Sequence, residues 1–274
     1  MKVNRRDFLK GMAVAGTAAM LTDLTVFSEN DGPVNERDRP YDQWRIDGAE
    51  WVMVIDLAAC DGCVDLDIPR CTNACIVGHY TPDDHLYLKV FEVHENEYSN
   101  TVYFPRPCQQ CEDPPCAHVC PVSAAWQRDG DRLTLIDHTR CIGCRLCQAA
   151  CPYEVRHFHF EENPKGDDIP DDKFEAQMPF TLFRGKGVTA KCEFCGLQFI
   201  GQLPHCVSAC HNGALYFGDK NENAVTNAFG TTEVFTDLLA RREAFRWKEE
   251  EGTKPRVFYL PASSSGNHGH GGNA

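Results

Sequence analysis

Basic charge and long hydrophobic runs are what this sequence of 274 residues has least of. Lys and Arg number 27 against 40 Asp and Glu, which gives a formal net charge of −13. Nucleic-acid binding relies on clustered Lys and Arg that neutralise phosphates, so this balance excludes a nucleic-acid partner. Beyond the N-terminal segment, no apolar stretch approaches the roughly 20 residues that a membrane-spanning helix requires. We therefore expect membrane contact to come through a partner protein.

The patterns of substrate chemistry are missing as well. The sequence shows no nucleophile–base arrangement, no Gly-rich phosphate loop and no metal-ligand pattern with an open coordination position. We therefore expect a protein that makes and breaks no substrate bonds itself, and so not an enzyme on its own.

The N-terminal segment has the pattern of an export signal. Met1 to Lys10 is basic, with adjacent Arg5 and Arg6, and a weakly apolar run of small residues follows from Gly11 to Leu21. This pattern predicts a twin-arginine signal over residues 1–27, with a frayed basic N-terminus of a cytoplasmic protein as the alternative. Because that pathway carries folded, cofactor-loaded proteins, we expect a location in the periplasm or at the outer face of the cytoplasmic membrane.

Cysteine is what the sequence has in excess. Its 16 cysteines form four groups of four, and each group opens with Cys-x2-Cys and closes with Cys-x3-Cys. The groups are Cys60, Cys63, Cys71, Cys75; Cys108, Cys111, Cys116, Cys120; Cys141, Cys144, Cys147, Cys151; and Cys192, Cys195, Cys206, Cys210. The third group, ending in Cys151-Pro152, is the bacterial ferredoxin run C-x2-C-x2-C-x3-C-P. The pattern therefore indicates 4Fe–4S clusters.

Two alternatives to iron, disulfides and zinc, fit this spacing poorly. A disulfide framework has no reason to repeat the ferredoxin spacing, and an all-cysteine zinc site needs only two Cys-x2-Cys pairs. A tight loop with cysteines at i, i+3 and i+6 directs three thiolates at one cluster, while the cysteine that precedes Pro152 or Pro121 points elsewhere. In two-cluster ferredoxins that last cysteine ligates the other cluster, so the groups are expected to work in pairs.

With these groups in view, the sequence resembles the four-cluster ferredoxin-like subunit of molybdopterin oxidoreductases such as dimethyl sulfoxide, polysulfide and tetrathionate reductases. The resemblance extends from Trp51 to Pro261. Its most specific stretches are Cys108-Gln-Gln-Cys-Glu-Asp-Pro-Pro-Cys-Ala-His-Val-Cys-Pro121, the third group, Lys191-Cys-Glu-Phe-Cys through Gly201, Pro204 with Cys206 to Cys210, and Gly252-Thr-Lys-Pro-Arg-Val-Phe-Tyr-Leu260. Similar subunits accompany some exported hydrogenases.

The resemblance implies that the outer cysteine groups pair with each other and the inner groups with each other, which spacing alone leaves open. The implied ligand sets are Cys60, Cys63, Cys71 and Cys210 for cluster 1; Cys75, Cys192, Cys195 and Cys206 for cluster 2; Cys108, Cys111, Cys116 and Cys151 for cluster 3; and Cys120, Cys141, Cys144 and Cys147 for cluster 4. The implied fold is α+β, with two ferredoxin-like double-cluster modules, inserted loops and a C-terminal helix.

The sequence departs from the family at the outer pair. Seven residues separate Cys63 from Cys71 where the family usually has two, and His211 follows Cys210 where Pro is common. This loop leaves open whether cluster 1 is a full 4Fe–4S cluster. Asp65 and Asp67 within it would lower that cluster's potential if they lie close, or be screened if they face water. His118, His205 and His211 adjoin ligands, where they either donate hydrogen bonds to sulfur or act as ordinary surface or satisfied histidines.

Composition and periodicity predict the rest of the organisation. We expect an acidic linker at 28–50, a four-cluster domain at 51–261 and a disordered tail at 262–274. Within the domain, the inner module is expected at about 102–156 and the outer module at about 51–82 plus 190–220. The predicted secondary structure comprises strands at 51–56, 86–93, 132–137 and 255–260, an exposed insertion at 161–175, and a helix capped by Thr231 and ending at Gly252.

The functional hypothesis is an electron-transfer subunit. It would relay single electrons through four 4Fe–4S clusters between a molybdopterin-containing catalytic subunit and a membrane quinone-reactive subunit or a cytochrome. The alternatives are an electron-transfer subunit of an exported hydrogenase, a free-standing multicluster ferredoxin, and a non-redox structural or maturation protein with partial metal loading.

Overall fold

The largest sheet is built around β1, Trp51–Asp56, which leads directly to the first cysteine loop. In this computed structural model, which describes residues 47–94, 101–165 and 185–262, β1 pairs antiparallel with β8 (Leu215–Asp219) and parallel with β11 (Val257–Leu260). Strand β8 continues through β9 (Ala224–Asn227) to β10 (Thr232–Val234), in the order β10-β9-β8-β1-β11. The strands predicted at 51–56 and near the C-terminus are confirmed.

Both faces of this sheet are covered. Successive side chains of a strand point to opposite faces, so consecutive apolar residues in β1 pack on both sides. On one face, Val52 and Val54 pack with Phe235 and Leu238 of the C-terminal helix in a buried apolar cluster. Met53, which points to the opposite face, lines a cavity rich in cysteine. The sheet therefore separates an ordinary apolar core from the cysteine-rich part of the chain.

Three short antiparallel strand pairs complete the β structure. They are β2 (Lys89–Val93) with β3 (Val102–Arg106), β4 (Ala125–Gln127) with β5 (Thr134–Ile136), and β6 (His157–Phe158) with β7 (Thr189–Ala190). The strands predicted at 86–93 and 132–137 are present but shorter than predicted. Each pair adjoins a cysteine loop at one end, so the strand pairing fixes the position of that loop.

The described helices are short. They are α1 (Arg70–His79), α2 (Pro115–His118), α3 (Leu146–Ala149), α4 (His205–Ser208) and α5 (Phe235–Arg241), with 3-10 turns at Leu197–Ile200 and Glu249–Glu251. Over the described ranges, none of the helices has the length and apolar character needed to cross a bilayer. All the described residues belong to one compact unit.

The C-terminal helix is shorter than predicted, and its N-cap residue is Val234. Thr231 is not its N-cap, because Thr232–Val234 forms β10 against β9. The side chain of Asn223 accepts a hydrogen bond from the Thr236 N–H (2.9 Å), and its carbonyl oxygen accepts one from the Phe235 N–H (2.9 Å). The predicted end at Gly252 is also wrong, since α5 ends at Arg241.

Several predicted segments lie outside the described residues. These are the signal at 1–27, the linker up to residue 46, most of the acidic insertion, and the tail from residue 263.

Candidate metal centres

Four cavities of about 320 to 430 Å³ are each lined by four cysteines. Site 1 contains Cys60, Cys63, Cys71 and Cys210; site 2 contains Cys75, Cys192, Cys195 and Cys206; site 3 contains Cys108, Cys111, Cys116 and Cys151; and site 4 contains Cys120, Cys141, Cys144 and Cys147. The structure thus brings together the same quartets that the family resemblance implies, and all 16 cysteines of the chain take part.

Strand pairing explains how cysteines distant in sequence meet. Ile55 in β1 lies opposite Leu215 in β8, so the loops that carry Cys60 and Cys210 emerge at the same end of the sheet. In the same way, the register Ala125↔Ile136 brings together the chain segments that hold Cys120 and Cys141. The sites therefore depend on strand registers formed between segments far apart in sequence.

Each Cys-x3-Cys segment connects two sites and has its first cysteine in a short helix, although only α1 also contains the second. Helix α1 carries Cys71 of site 1 and Cys75 of site 2, one turn apart. Helix α4 joins the same two sites, while α2 and α3 join site 3 to site 4. One helical turn advances about 5.4 Å, so the two sites of each pair are close neighbours.

Contacts also join the two pairs of sites. Cys192 of site 2 packs against a buried cluster that includes Cys108 and Cys111 of site 3. The Gln110 side chain bridges the loops, since its Nε2 donates to the Cys192 carbonyl oxygen (3.0 Å) and its Oε1 accepts from the Thr134 N–H (2.8 Å). The order of the sites along these contacts is 1, 2, 3, 4.

Sulfur spacing distinguishes a cluster from a single ion. The described residues contain one group of three Cys, His, Asp or Glu side chains whose ligand atoms lie within 4.8 Å of each other, and Cys63 is its only cysteine. Thiolates on one zinc ion lie about 2.3 Å from the metal, so no two of them can be more than about 4.6 Å apart. Among the described residues, no three sulfur atoms of one quartet form such a group, and this spacing suits a polynuclear iron–sulfur group.

Burial controls the protonation of these thiols. It raises the pKa of Cys71 to about 12 and that of Cys111 to about 12, and it raises the pKa of Cys206 well above its ordinary value. Iron binds the thiolate, so ligation at these positions releases protons and compensates for the burial of negative charge.

Backbone N–H groups donate to several of the sulfurs, as the tight loops predict. Cys120 Sγ accepts from the Ala125 N–H (3.3 Å) and Cys210 Sγ accepts from the Ala214 N–H (3.2 Å). Hydrogen bonds to cluster sulfurs are among the factors that set reduction potentials. The loops therefore supply both the sulfur atoms and part of their polar surroundings.

The three histidines predicted beside the ligands differ in their roles. His118 is exposed and pairs with Asp113 (3.4 Å), as a surface histidine would. His211 lies between site 1 and solvent, with Nδ1 3.8 Å from Cys63 Sγ and Nε2 2.9 Å from Asp61. The backbone N–H of His205 donates to Cys195 Sγ (3.3 Å).

Sequence reasoning missed the histidine with the shortest contact to sulfur. Buried His79, at the C-terminal end of α1, places its Nε2 3.0 Å from Cys195 Sγ. Its position four residues after Cys75 could have indicated this, because residues at i and i+4 share one helix face. Asp65 and Asp67, by contrast, are exposed, which favours the interpretation that solvent screens them.

Comparisons with known proteins identify an iron–sulfur domain and an export signal. Residues 99–166 match the family described as a 4Fe-4S dicluster domain, and residues 2–22 match the twin-arginine translocation pathway signal sequence. The predicted export signal is thereby confirmed, and the chain is exported across the membrane to the periplasmic side.

Three relatives are informative. The chain is 36% identical over 226 residues to the B-subunit of selenate reductase from Mesobacillus selenatarsenatis, covering 77% of this chain and 72% of the relative. It is 30% identical over 274 residues to the B-subunit of tetrathionate reductase from Salmonella typhimurium (95% and 89%). It is 33% identical over 244 residues to the iron–sulfur cluster-binding subunit of menaquinone reductase from Nitratidesulfovibrio vulgaris (77% and 88%). The chain therefore belongs to the family of iron–sulfur electron-transfer subunits, not catalytic ones, that includes these components of selenate and tetrathionate reductases.

Proposed function

We propose that the chain holds four 4Fe–4S clusters and relays single electrons through them between partner proteins. The observation that carries this proposal is the assembly of 16 cysteines into four quartets around four cavities. The proposed ligand sets are the cysteine quartets of sites 1 to 4. Sites 3 and 4 would form the inner ferredoxin-like module, at about 102–156, and sites 1 and 2 the outer module, at about 51–82 plus 190–220.

The proposed route of the electron follows the contacts between the sites. The four short helices connect site 1 to site 2 and site 3 to site 4, and the packing of Cys192 against Cys108 and Cys111 connects the two pairs. A linear order 1-2-3-4 follows from these contacts. When bound, the clusters accept and release one electron each, while the chain's own residues hold and insulate them.

Both ends of this route reach the protein surface. Cys144 of site 4 is exposed, and Ile142 and Leu146 beside it are largely exposed apolar residues. At site 1, Val64 and Leu66 of the loop between Cys63 and Cys71 are exposed. Exposed apolar residues beside the terminal sites support the docking of electron-transfer partners at both ends.

The proposed partners are a catalytic subunit that contains molybdopterin and a quinone-reactive membrane subunit or a cytochrome. This part of the proposal rests on the family, whose members include subunits of selenate, tetrathionate and menaquinone reductases. The exported chain would then be held at the outer face of the cytoplasmic membrane through these partners.

Anaerobic purification followed by iron and sulfide analysis tests the cofactor proposal. We expect about sixteen irons per chain, and a reductive EPR titration is expected to show several interacting S = 1/2 centres. Zinc in place of iron, or disulfides between the cysteines, would contradict the proposal.

Affinity isolation from membranes tests the partners. Recovery of a large molybdenum-containing subunit together with the chain is expected. A nickel-containing subunit would instead support the hydrogenase alternative, and recovery of the chain alone would support a free-standing ferredoxin.

A further inference from the structure

Arg156 is a buried cation without a hydrogen-bond acceptor for the end of its side chain. It is 5% exposed and lines site 3, five residues after Cys151. Its Nη1 and Nη2 atoms are buried, and no residue of the described ranges accepts a hydrogen bond from either. A buried charge is costly unless it is compensated, so this position requires a source of negative charge.

The other two fully buried arginines of the described chain are compensated in the usual way. Arg128 forms an ion pair with Asp131, and the Nε of Arg256 donates to the carbonyl oxygen of Gln110 (2.7 Å). Arg156 differs from both because its surroundings are cysteines. This contrast indicates that its counter-charge comes from the cysteine sites.

The charges that act on Arg156 come from two sites. Burial lowers the pKa of its guanidinium, but the charges of nearby cysteines outweigh burial and raise the pKa above its ordinary value. Those cysteines are Cys116, Cys147, Cys108 and Cys151. Three of them belong to site 3 and Cys147 belongs to site 4. Geometry agrees with this, since the carbonyl oxygen of Arg156 accepts from Gln148 Nε2 (2.9 Å), and Gln148 follows Cys147 of site 4 on α3. Arg156 therefore lines site 3 and contacts the helix that carries a cysteine of site 4.

We propose that Arg156 is the shared counter-cation of sites 3 and 4, and that it raises the reduction potentials of the clusters at both. The inference rests on the proposed function, since it requires clusters at these sites. A cluster with four thiolate ligands is net anionic in both oxidation states and gains one further negative charge on reduction. A fixed cation nearby therefore stabilises the reduced form more than the oxidised form.

Arg156 acts in this proposal as a positioning charge and takes up neither an electron nor a proton. The electron that reduces either cluster comes from a partner protein and passes to the next acceptor. Because one guanidinium serves both sites, it also reduces the repulsion between two reduced neighbours. The reduction potentials of the clusters at sites 3 and 4 would consequently change together when Arg156 is replaced.

The test compares Arg156→Met, Arg156→Lys and the unaltered chain by anaerobic iron analysis and EPR-monitored redox titration. With full iron content, Arg156→Met is expected to lower two of the four potentials, each by at least a tenfold shift in the reduction equilibrium, or about 59 mV for one electron. Arg156→Lys keeps the positive charge, so both reduction potentials should stay close to those of the unaltered chain. Unchanged potentials in Arg156→Met with full iron would overturn the inference while leaving the proposed function intact.

A surface variant controls for net charge. Arg241 is exposed and pairs with Glu233 on β10, so Arg241→Met removes the same charge away from the cysteines. Equal shifts of the reduction potentials in Arg241→Met and Arg156→Met would overturn the inference, because the effect would then come from net charge and not from the place of Arg156. If Arg156→Met loses iron, retention of iron in Arg156→Lys supports the counter-cation, and equal loss in both variants contradicts it. Low iron in the unaltered chain would instead refute the proposed function itself.

Discussion

At the scale of single residues, the polar surroundings of the sulfurs differ from site to site. Cys195 of site 2 receives the backbone N–H of His205 and lies 3.0 Å from the buried imidazole of His79. If Cys195 is a thiolate ligand, the nitrogen that faces it must carry the proton and donate. Such a bond favours the reduced cluster, because reduction increases the negative charge on its ligands.

His79→Phe removes this donor while keeping an aromatic ring. We expect the potential of the site 2 cluster to fall by about 20 to 60 mV, from ~0.5–1.5 kcal/mol per hydrogen bond and ~1.4 kcal/mol per 59 mV. An EPR-monitored redox titration measures this. His118→Phe is the matched control, since exposed His118 pairs with Asp113, and it should leave all potentials unchanged. A similar shift in both variants would contradict the assigned hydrogen bond.

Exposure also differs between the cysteines. Cys144 is exposed, whereas Cys71 of site 1 is buried. Reaction of cysteine with oxidants and alkylating agents requires access from solvent. When the iron-loaded protein is briefly exposed to oxygen and then treated with iodoacetamide, we expect Cys144 to become alkylated well before Cys71. Mass spectrometry of native alkylated samples over time measures the order, with Cys71 as internal reference. Labelling of Cys71 first would refute the assigned exposure.

At the scale of elements, the four Cys-x3-Cys segments and the loops before them carry the cysteines of the four sites. The loop of site 4 turns at Gly143, whose φ of +69° is unfavourable for other residues. A Cβ atom there would lie 2.3 Å from the carbonyl oxygen of Gly187. Because that neighbour is backbone, the contact can be relieved only by moving one of the two segments.

Gly143→Ala should therefore disturb site 4 selectively. We expect lower iron content and a lower thermal midpoint, because the contact adds to a conformational cost of about 1 kcal/mol or more. Gly187→Ala is the matched control, since its φ is +81° but its Cβ would meet no described atom within 4 Å. Iron analysis and thermal unfolding under argon compare the two variants. Equal losses would show that conformation alone, without the close contact, determines the effect.

At the scale of the whole molecule, the five-stranded sheet and the cysteine loops have different sources of stability. The sheet packs Val52, Val54 and Leu260 against Phe235 and Leu238, an apolar core that needs no metal. The loops carry the sites, where the fold brings four thiols close together, several of them buried. We expect the loops to depend on iron and the sheet to depend on it much less.

Removal of iron by anaerobic chelation tests this difference. Amide protection in α1 to α4 should fall by at least tenfold, while protection in β1, β8 and β11 should be largely retained. Hydrogen exchange with mass spectrometry measures both regions in one sample, so the sheet serves as the control for the loops. Equal loss of protection in the sheet would mean that the clusters hold the whole unit together.

Some of the structure was predictable because it depends on local spacing. The partition of 16 cysteines into four groups follows from the steric needs of a tight cluster-binding loop, and β1 follows from its run of β-forming residues. The C-terminal helix was predicted wrongly at both ends. Its N-cap residue is Val234, Asn223 accepts hydrogen bonds from the first N–H groups of the helix, and the residues predicted as its first turn pair with β9 instead.

The sequence alone indicates the cysteine groups that we propose as metal ligands, shows the export signal, and contains the i to i+4 spacing of cysteines that belong to different sites. Which distant cysteines meet depends on the fold, because the register Ile55↔Leu215 brings the loops of Cys60 and Cys210 together. The fold also places His79 against Cys195, and Arg156 at site 3 in contact with α3. These contacts join segments far apart in the chain, and such contacts depend on strand pairing and burial that no local pattern encodes.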